Sequence, residues 1–204
     1  MLDADAPGSQ AFDALFRDND DPWRFRTRWY EARKRALTLA CLPARRYAHG
    51  YEPGCANGEL SAELATRCDR LLVSDVSQRA VELAQARLLD WPHAKAVLAQ
   101  LPRDWPDESF DLVVISELGY FLTPPEVDAL AGKTRASLRP GGTVLACHWR
   151  RPIEGSTFDG EAVHVRLEQH LGLERLTQVR EADFILDVWS SDGRSVAQRE
   201  GFGW

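Results

Sequence analysis

Residues 49–58, His-Gly-Tyr-Glu-Pro-Gly-Cys-Ala-Asn-Gly, restrict the folds open to this chain more than any other stretch. An apolar segment ends in the acid Glu52, a turn passes through Gly54, and Asn57-Gly58 precedes a run with helical spacing. Gly54 supplies the backbone freedom a sharp reversal needs. Gly58 leaves room for a ligand or for close helix–strand packing. Asn57 suits the cap of the helix, whose free N–H groups then point into the loop. A strand, a glycine turn and a helix with an acid at the strand end form a cradle for a nucleotide-like ligand, and such a unit requires a sheet flanked by helices.

The rest of the chain supplies that sheet. Strands are expected at Ala48–Glu52, Leu71–Asp75, Ala94–Leu98, Phe110–Ser116 and Thr143–Cys147, and helices at Asn57–Cys68, from Ser77 to Leu89 and from Pro124 to Leu138. Thr123-Pro124-Pro125-Glu126 is a capping box with proline at the first helical position, and Arg139-Pro140-Gly141-Gly142 is a stop. Strands joined by helices of this length imply a parallel sheet covered on both faces. After Cys147 the pattern changes. A loop from His148 to Phe158, containing Pro152, leads to a helix capped by Asp159. Strands at 176–181 and 184–190 are too close to be anything but antiparallel. Asp192-Gly193 leaves a second pairing open, 183–190 with 195–201.

Ahead of the sheet, the acidic residues 1–22 are expected to be loosely held, with Ser9 capping a short helix that carries Phe12, Leu15 and Phe16. From Trp23 to Leu42 the spacing is helical, with Pro22 opening the run and Pro43 ending it. Two roles stand for its aromatic group, Trp23, Phe25, Trp29 and Tyr30: packing the helix onto the domain, or forming a lid with Tyr30 and Arg33 facing a ligand. A length of 204 residues fits a single domain, with residues 1–43 as a helical cap and 44–204 as the core and hairpin. The net charge of -6 argues against a nucleic-acid partner. No apolar run reaches the length of a membrane span, and the opening Met-Leu-Asp-Ala-Asp-Ala lacks the apolar region of a signal peptide. Cys41, Cys55, Cys68 and Cys147 form no Cys-x-x-Cys pair, so a cytoplasmic location is expected, without a disulfide framework or metal site.

Asp75 closes the second strand, where a carboxylate accepts hydrogen bonds from both hydroxyls of a ribose. Glu52, the Gly54–Gly58 loop and Asp75 thus suit an adenosine-containing cofactor, which leaves NAD and S-adenosylmethionine open. The loop reads Gly-x-x-x-Gly rather than the dinucleotide Gly-x-Gly-x-x-Gly, and no second half-domain is present to hold a nicotinamide. Glu52 matches a cationic amino-acid group better than a pyrophosphate. These features favour S-adenosylmethionine.

Glu-Pro-Gly-Cys-Ala-Asn-Gly, Leu-Val-Ser-Asp-Val-Ser, Phe-Asp-Leu-Val-Val-Ile-Ser-Glu and Leu-Arg-Pro-Gly-Gly together resemble the class I S-adenosylmethionine-dependent methyltransferases. Asp-Pro-Trp, Trp-Tyr-Glu-Ala-Arg-Lys-Arg-Ala-Leu-Thr-Leu, Ser-Glu-Leu-Gly-Tyr-Phe-Leu and Cys-His-Trp-Arg-Arg-Pro resemble the nodulation protein S (NodS-like) methyltransferases, from about Asp21 to Gly201. The resemblance implies a Rossmann-like α/β three-layer sandwich with a mostly parallel seven-stranded sheet, a C-terminal antiparallel hairpin and an N-terminal helical cap. It places the methionine part on Glu52 and the backbone of Gly54, Cys55, Ala56 and Gly58. Asp75 takes the ribose, Val76, Gln100 and Leu101 the adenine, and Ser116 and Glu117 the methyl end. Two positions depart from the class pattern: Gln100 stands where Asp is common, and Ala56 replaces the loop's second glycine.

Methyl transfer from a sulfonium is an in-line displacement with a good leaving group, so holding and aligning the acceptor matters most. A carboxylate or imidazole can take the proton of an amine. His148, Glu117 and Tyr120 are the catalytic candidates, with His148 foremost as base or orienting group. Glu161, His164 and Glu168 share a helix face for which two readings stand, a solvated face or one that reaches the substrate cleft. The NodS resemblance implies N-methylation of an amino sugar or oligosaccharide, with Trp149, Tyr120 and Phe158 suited to stacking on a sugar. O-methylation of a small metabolite and a non-catalytic S-adenosylmethionine-binding module are the competing functions.

Overall fold

The computed structural model of the protein describes residues 9–151, 153, 156 and 158–202. Residues 1–8 of the acidic N-terminal stretch, the side chain of Ser9 and Pro152 lie outside the described residues. Two helices, α1 (Ser9–Asp18) and α2 (Trp29–Cys41), precede the alternation β1 (Gly50–Pro53), α3 (Glu59–Ala65), β2 (Leu71–Asp75), α4 (Gln78–Arg87), β3 (Ala94–Leu98) and β4 (Phe110–Ser116). A single 3-10 turn, Gly119–Phe121, leads to α5 (Pro124–Ser137), β5 (Leu138–Trp149), α6 (Gly160–Leu171), β6 (Glu174–Arg180), β7 (Phe184–Ser190) and the short α7 (Val196–Arg199).

The strands form one sheet in the order β3-β2-β1-β4-β5-β7-β6. The first five are parallel, and β7 runs antiparallel between β5 and β6. Side chains alternate across the sheet, so β4 feeds two cores. Leu112 and Val114 join Leu64, Val81, Ala84 and Leu88 of α3 and α4 with its C-cap on one face. Val113 and Ile115 join Leu130 of α5 and Leu167 of α6 on the other. The result is the three-layer sandwich that the alternation predicts, with the C-terminal hairpin extending the sheet.

Several boundaries differ from expectation, for local reasons. The helix expected from Trp23 starts at Trp29, because the Asp21 carboxylate accepts from the Phe25 and Arg26 N–H groups (2.7 and 3.1 Å) and folds that stretch into turns. Arg24, at φ 60, has no place in a helix. α3 begins after Gly58 (φ 80) rather than at Asn57, whose amide instead donates to Asp20 O (3.1 Å) and Asp21 Oδ1 (3.0 Å). β5 absorbs the expected stop at 139–142 as an irregularity: its pairing with β4 jumps from Phe110↔Leu138 to Leu112↔Thr143. It also runs on through His148 and Trp149, where a loop was expected. β6 is the hairpin partner of β7, so the alternative pairing with 195–201 fails; Val196–Arg199 is helical, capped by Ser195 and Gln198. No helix among the described residues is long and apolar enough to cross a membrane.

Candidate functional site

The strand order reverses between β1 and β4, so the loops leaving their carboxyl ends part and open a crevice. A cavity of about 910 Å³ lies there. Its floor is Glu52, the 54–57 turn, Asp75, Val76, Ala99–Leu101 and Ser116–Leu118. Its roof comes from the N-terminal segment: Phe12, Phe16, Trp23, Phe25, Tyr30, Glu31 and Lys34.

The turn after β1 is built from its own backbone. Gly54 (φ 77) and Cys55 both donate to Ser74 O, at 2.7 and 2.9 Å, which ties the turn to the end of β2. Ala56 has φ 48, a conformation that glycine holds without strain, and its N–H donates to Asp75 Oδ2 at 2.9 Å. Asp75 Oδ1 accepts from Ser77 N–H at 3.0 Å. Each carboxylate oxygen therefore keeps a lone pair for a further donor. Burial raises the Asp75 pKa, and the N–H donors of Ser77, Ala56 and Val76 pull it back down.

Glu52 is 2% exposed. Its partner is the Ser61 hydroxyl, which donates to Oε2 at 2.5 Å from the face of α3. No basic side chain among the described residues pairs with it. Burial pushes its pKa up to about 8 despite the Ser61 hydrogen bond. A buried acid without a cation is a site for one. Two further polar atoms on the cavity wall are buried and unpartnered, Asn57 Oδ1 and the Tyr30 hydroxyl. These unmet groups, the ribose-ready Asp75 and the apolar strip of Val76 and Leu101 fit an adenosine carrying an amino-acid tail.

At the other end, Glu117 leaves β4 at φ 55. Its Oε1 accepts from Lys34 Nζ at 2.6 Å, and its Oε2 accepts from the Tyr120 hydroxyl and from Trp149 N–H at 3.0 Å. Lys34 also pairs with Glu31 Oε2 at 3.0 Å and lies 5.0 Å from the centre of the Tyr30 ring. Burial works against the Lys34 charge, yet Glu117 and Glu31 together hold its pKa above the ordinary lysine value.

The structure gathers at the cavity Tyr30, Glu52, Gly54, Cys55, Ala56, Asp75, Val76, Gln100, Leu101, Ser116, Glu117 and Tyr120. Three expected residues stand elsewhere. Arg33 faces away and makes a two-pronged ion pair with Glu181 (2.7 and 2.6 Å). Gly58 serves close packing: a Cβ there would lie 2.9 Å from the Cα of Ala84 in α4. His148 is fully buried beneath the site, where its Nε2 accepts from Gly119 N–H at 3.0 Å and its Nδ1 meets His164 Nε2. It has no face toward an acceptor. His164, on the helix face read as solvated or reaching the cleft, is 3% exposed and bonds Asp187 Oδ2 at 2.6 Å, because α6 turns that face onto β7. Of the expected stacking aromatics, Trp149 and Tyr120 line the cavity and Phe158 packs on the α5–α6 side. Trp29 is 77% exposed, whereas Trp23, Phe25 and Tyr30 reach the cavity.

Glu31 and Lys34 went unnoticed in the sequence. Their signal is an i, i+3 acid–base pair, but the spacing turns Tyr30 and Arg33 toward the ligand, whereas the buried face of the helix is Glu31, Lys34 and Thr38.

Fold and crevice together are those of the class I methyltransferases. A nodulation protein S structure from Bradyrhizobium japonicum WM9, an N-methyltransferase in complex with S-adenosyl-L-homocysteine, superposes with a TM-score of 0.81 at 27% identity, over 89% of this chain and 97% of that one. The structure of a candidate methyltransferase from Pseudomonas syringae is 52% identical, with a TM-score of 0.72 over 80% of this chain and 99% of that one. Residues 11–153 match the family model for nodulation protein S (NodS), and the chain belongs to that family. A curated relative, nodulation protein S of Bradyrhizobium diazoefficiens, is 38% identical over 130 residues, 62% of this chain. That match spans 61% of the relative's own length.

Proposed function

We propose that this chain is an S-adenosylmethionine-dependent methyltransferase that acts on the nitrogen of an amino sugar, an oligosaccharide amine or another small amine. The observation that carries this proposal is Glu52, a buried acid at the mouth of a glycine turn with no basic partner among the described residues. An α-ammonium group is the complement it lacks. Beside it, the backbone of Gly54–Asn57 would hold the amino-acid tail and Asp75 the ribose hydroxyls. Val76 and Leu101 would pack on the adenine, with Gln100 at its edge. Tyr30, Ser116 and Glu117 would line the methyl end.

Bound there, the cofactor supplies a methyl group on a positively charged sulfur that departs as a neutral thioether. The residues of this chain would bind and orient it, beneath an aromatic roof of Phe12, Phe16, Trp23 and Phe25. Family membership and the NodS N-methyltransferase likeness support the assignment to nitrogen. Trp149 and Tyr120 offer apolar faces at the acceptor end. Free cysteines, four among the described residues, support a reducing, cytoplasmic setting, and the single sheet supports a one-domain chain.

The test is calorimetry with S-adenosylmethionine and with NADH, followed by radioactive methyl transfer to glucosamine, chitosan oligomers and phenols. Binding of S-adenosylmethionine alone and transfer to an amine are expected. Saturating S-adenosylmethionine without a binding signal would remove the proposal.

A further inference from the structure

Helix α2 brings one acid, Glu31, and one base, Lys34, to the methyl end of the cavity, the turn after β4 adds a second acid, Glu117, and the two acids are held very differently. Glu117 is held on both oxygens: Oε1 accepts from Lys34, and Oε2 accepts from the Tyr120 hydroxyl and from Trp149 N–H. A carboxylate fixed by three donors, on backbone at φ 55, is an anchor for the turn that follows β4. Among the described residues Glu31 has Lys34 as its one ion-pair partner, on Oε2. The residue is 7% exposed and lines the cavity, and among the described residues no donor is bonded to its Oε1. The trio of Glu31, Lys34 and Glu117 sums to one negative charge with Lys34 protonated, so the pocket has room for one more cation. Besides Lys34, the charged groups facing Glu31 are Arg35 on its own helix and Glu117 from the β4 turn.

We infer that Glu31 receives the acceptor amine as its ammonium ion, through Oε1, and takes the proton that must leave before methyl transfer. The inference rests on the methyltransferase reading above and specifies its acceptor as an aliphatic amine that is protonated at neutral pH. In the step, an N–H bond of the ammonium breaks, the proton bonds to Glu31 Oε1, and the freed lone pair on nitrogen attacks the methyl carbon. The carbon–sulfur bond breaks with its electron pair left on sulfur, and nitrogen carries the positive charge again. The proton on Glu31 then leaves to solvent through the cavity mouth. Burial raises the Glu31 pKa against the pull of Lys34, which moves the group toward the range useful for proton transfer near neutral pH. Lys34 is a positioning residue: its ammonium holds Oε2 of Glu31 and leaves Oε1 for the acceptor.

The variant that tests this is Glu31→Gln, which keeps the shape and an oxygen for Lys34. Calorimetry with S-adenosylhomocysteine is expected to give the wild-type affinity. Glucosamine binding to the S-adenosylhomocysteine-loaded protein is expected to weaken at least about tenfold, as the loss of one charge-assisted hydrogen bond allows. Turnover of glucosamine or chitosan oligomers is expected to fall by about 10² to 10⁴ near pH 7, the usual range for a lost general base. It should recover as the pH is raised until the free amine predominates, a recovery that a purely structural defect would not produce. Wild-type turnover in the variant, an equal loss at every pH, or a wild-type protein that binds S-adenosylmethionine yet methylates phenols and no amine would each overturn the inference. Failure to bind S-adenosylmethionine would instead strike the reading beneath it.

Discussion

His148 Nδ1 stands 3.0 Å from His164 Nε2, with both rings sealed from solvent, and the direction of that hydrogen bond is fixed from outside the pair. Gly119 N–H donates to His148 Nε2, so the His148 proton sits on Nδ1 and is donated to His164. His164 then carries its own proton on Nδ1 and donates it to Asp187, which also accepts from Gln178 Nε2 at 2.9 Å. The chain of donors links the turn bearing Glu117 and Tyr120 to the C-terminal hairpin.

Acid should weaken this link. Burial, then His164 and Lys34, hold the His148 pKa well below the usual 6.5. A histidine whose pKa is lower in the folded state contributes stability above its unfolded value, and that stability is lost as the pH falls. Below about pH 6.5 the unfolded chain takes up a proton that folded His148 refuses, which costs roughly 1.4 kcal/mol per pH unit. Urea unfolding from pH 7 to pH 5 should therefore show a steeper loss of stability in the wild type than in His148→Gln. Parallel curves would contradict the assignment.

Gly119 itself should tolerate no side chain. A Cβ there would lie 2.3 Å from Val163 Cγ1 of α6 and 3.1 Å from His148 Nε2. Gly119→Ala must push α6 away or rotate the His148 ring, and overpacking of this kind costs about 1–3 kcal/mol. The thermal midpoint should drop, and S-adenosylhomocysteine affinity should change less than glucosamine affinity, because the displaced turn lies at the acceptor end. An unchanged midpoint would mean that the turn has slack.

The parts of this molecule legible in the sequence are those dictated by local chemistry. β2, β3 and β4 sit where their apolar runs begin and end, and Thr123 and Glu126 cap α5 because a capping box needs only four residues. Glu52 and Asp75 reach the cavity because strand ends define it. The misplaced residues depend on contacts distant in sequence. Arg33 is drawn to Glu181, 148 residues on, and Asn57 is taken by Asp20 and Asp21 of the N-terminal segment. His148 carries the right chemistry for a base, but β5 continues two residues beyond Cys147, and the ring is buried against His164 of α6.

Ala56 is a second place where a local rule is broken. It adopts φ 48, and its N–H is committed to Asp75. A left-handed conformation costs a non-glycine residue about 1–2 kcal/mol, part of which glycine gives back through its freer unfolded chain. Ala56→Gly should raise unfolding stability by up to about 1 kcal/mol, read from the urea midpoint. A lower midpoint would show that the alanine methyl group, which packs near Phe16, Ala80 and Leu83, outweighs the strain.

Glu52 gives the sharpest trade between stability and binding. Its folded pKa of about 8 lies above the ordinary 4.5. A carboxyl whose pKa is raised by folding favours the folded state only while protonated, so stability is full below about pH 4.5 and declines as the pH climbs toward 8. Glu52→Gln removes that decline while Ser61 still finds an oxygen acceptor. The variant should be more stable than the ligand-free wild type at pH 8, by an amount on the order of 4 kcal/mol, and nearly equal to it near pH 4.5. It should also bind S-adenosylmethionine weakly, since the ammonium loses its counter-charge. In the wild type, binding at pH 7 should expel the Glu52 proton, so the calorimetric heat should vary with the ionisation enthalpy of the buffer, and in Glu52→Gln that buffer dependence should vanish. A variant that is destabilised at pH 8, or a wild-type heat independent of buffer, would show that Glu52 is already ionised in the empty site and that a cation other than the cofactor's ammonium compensates it.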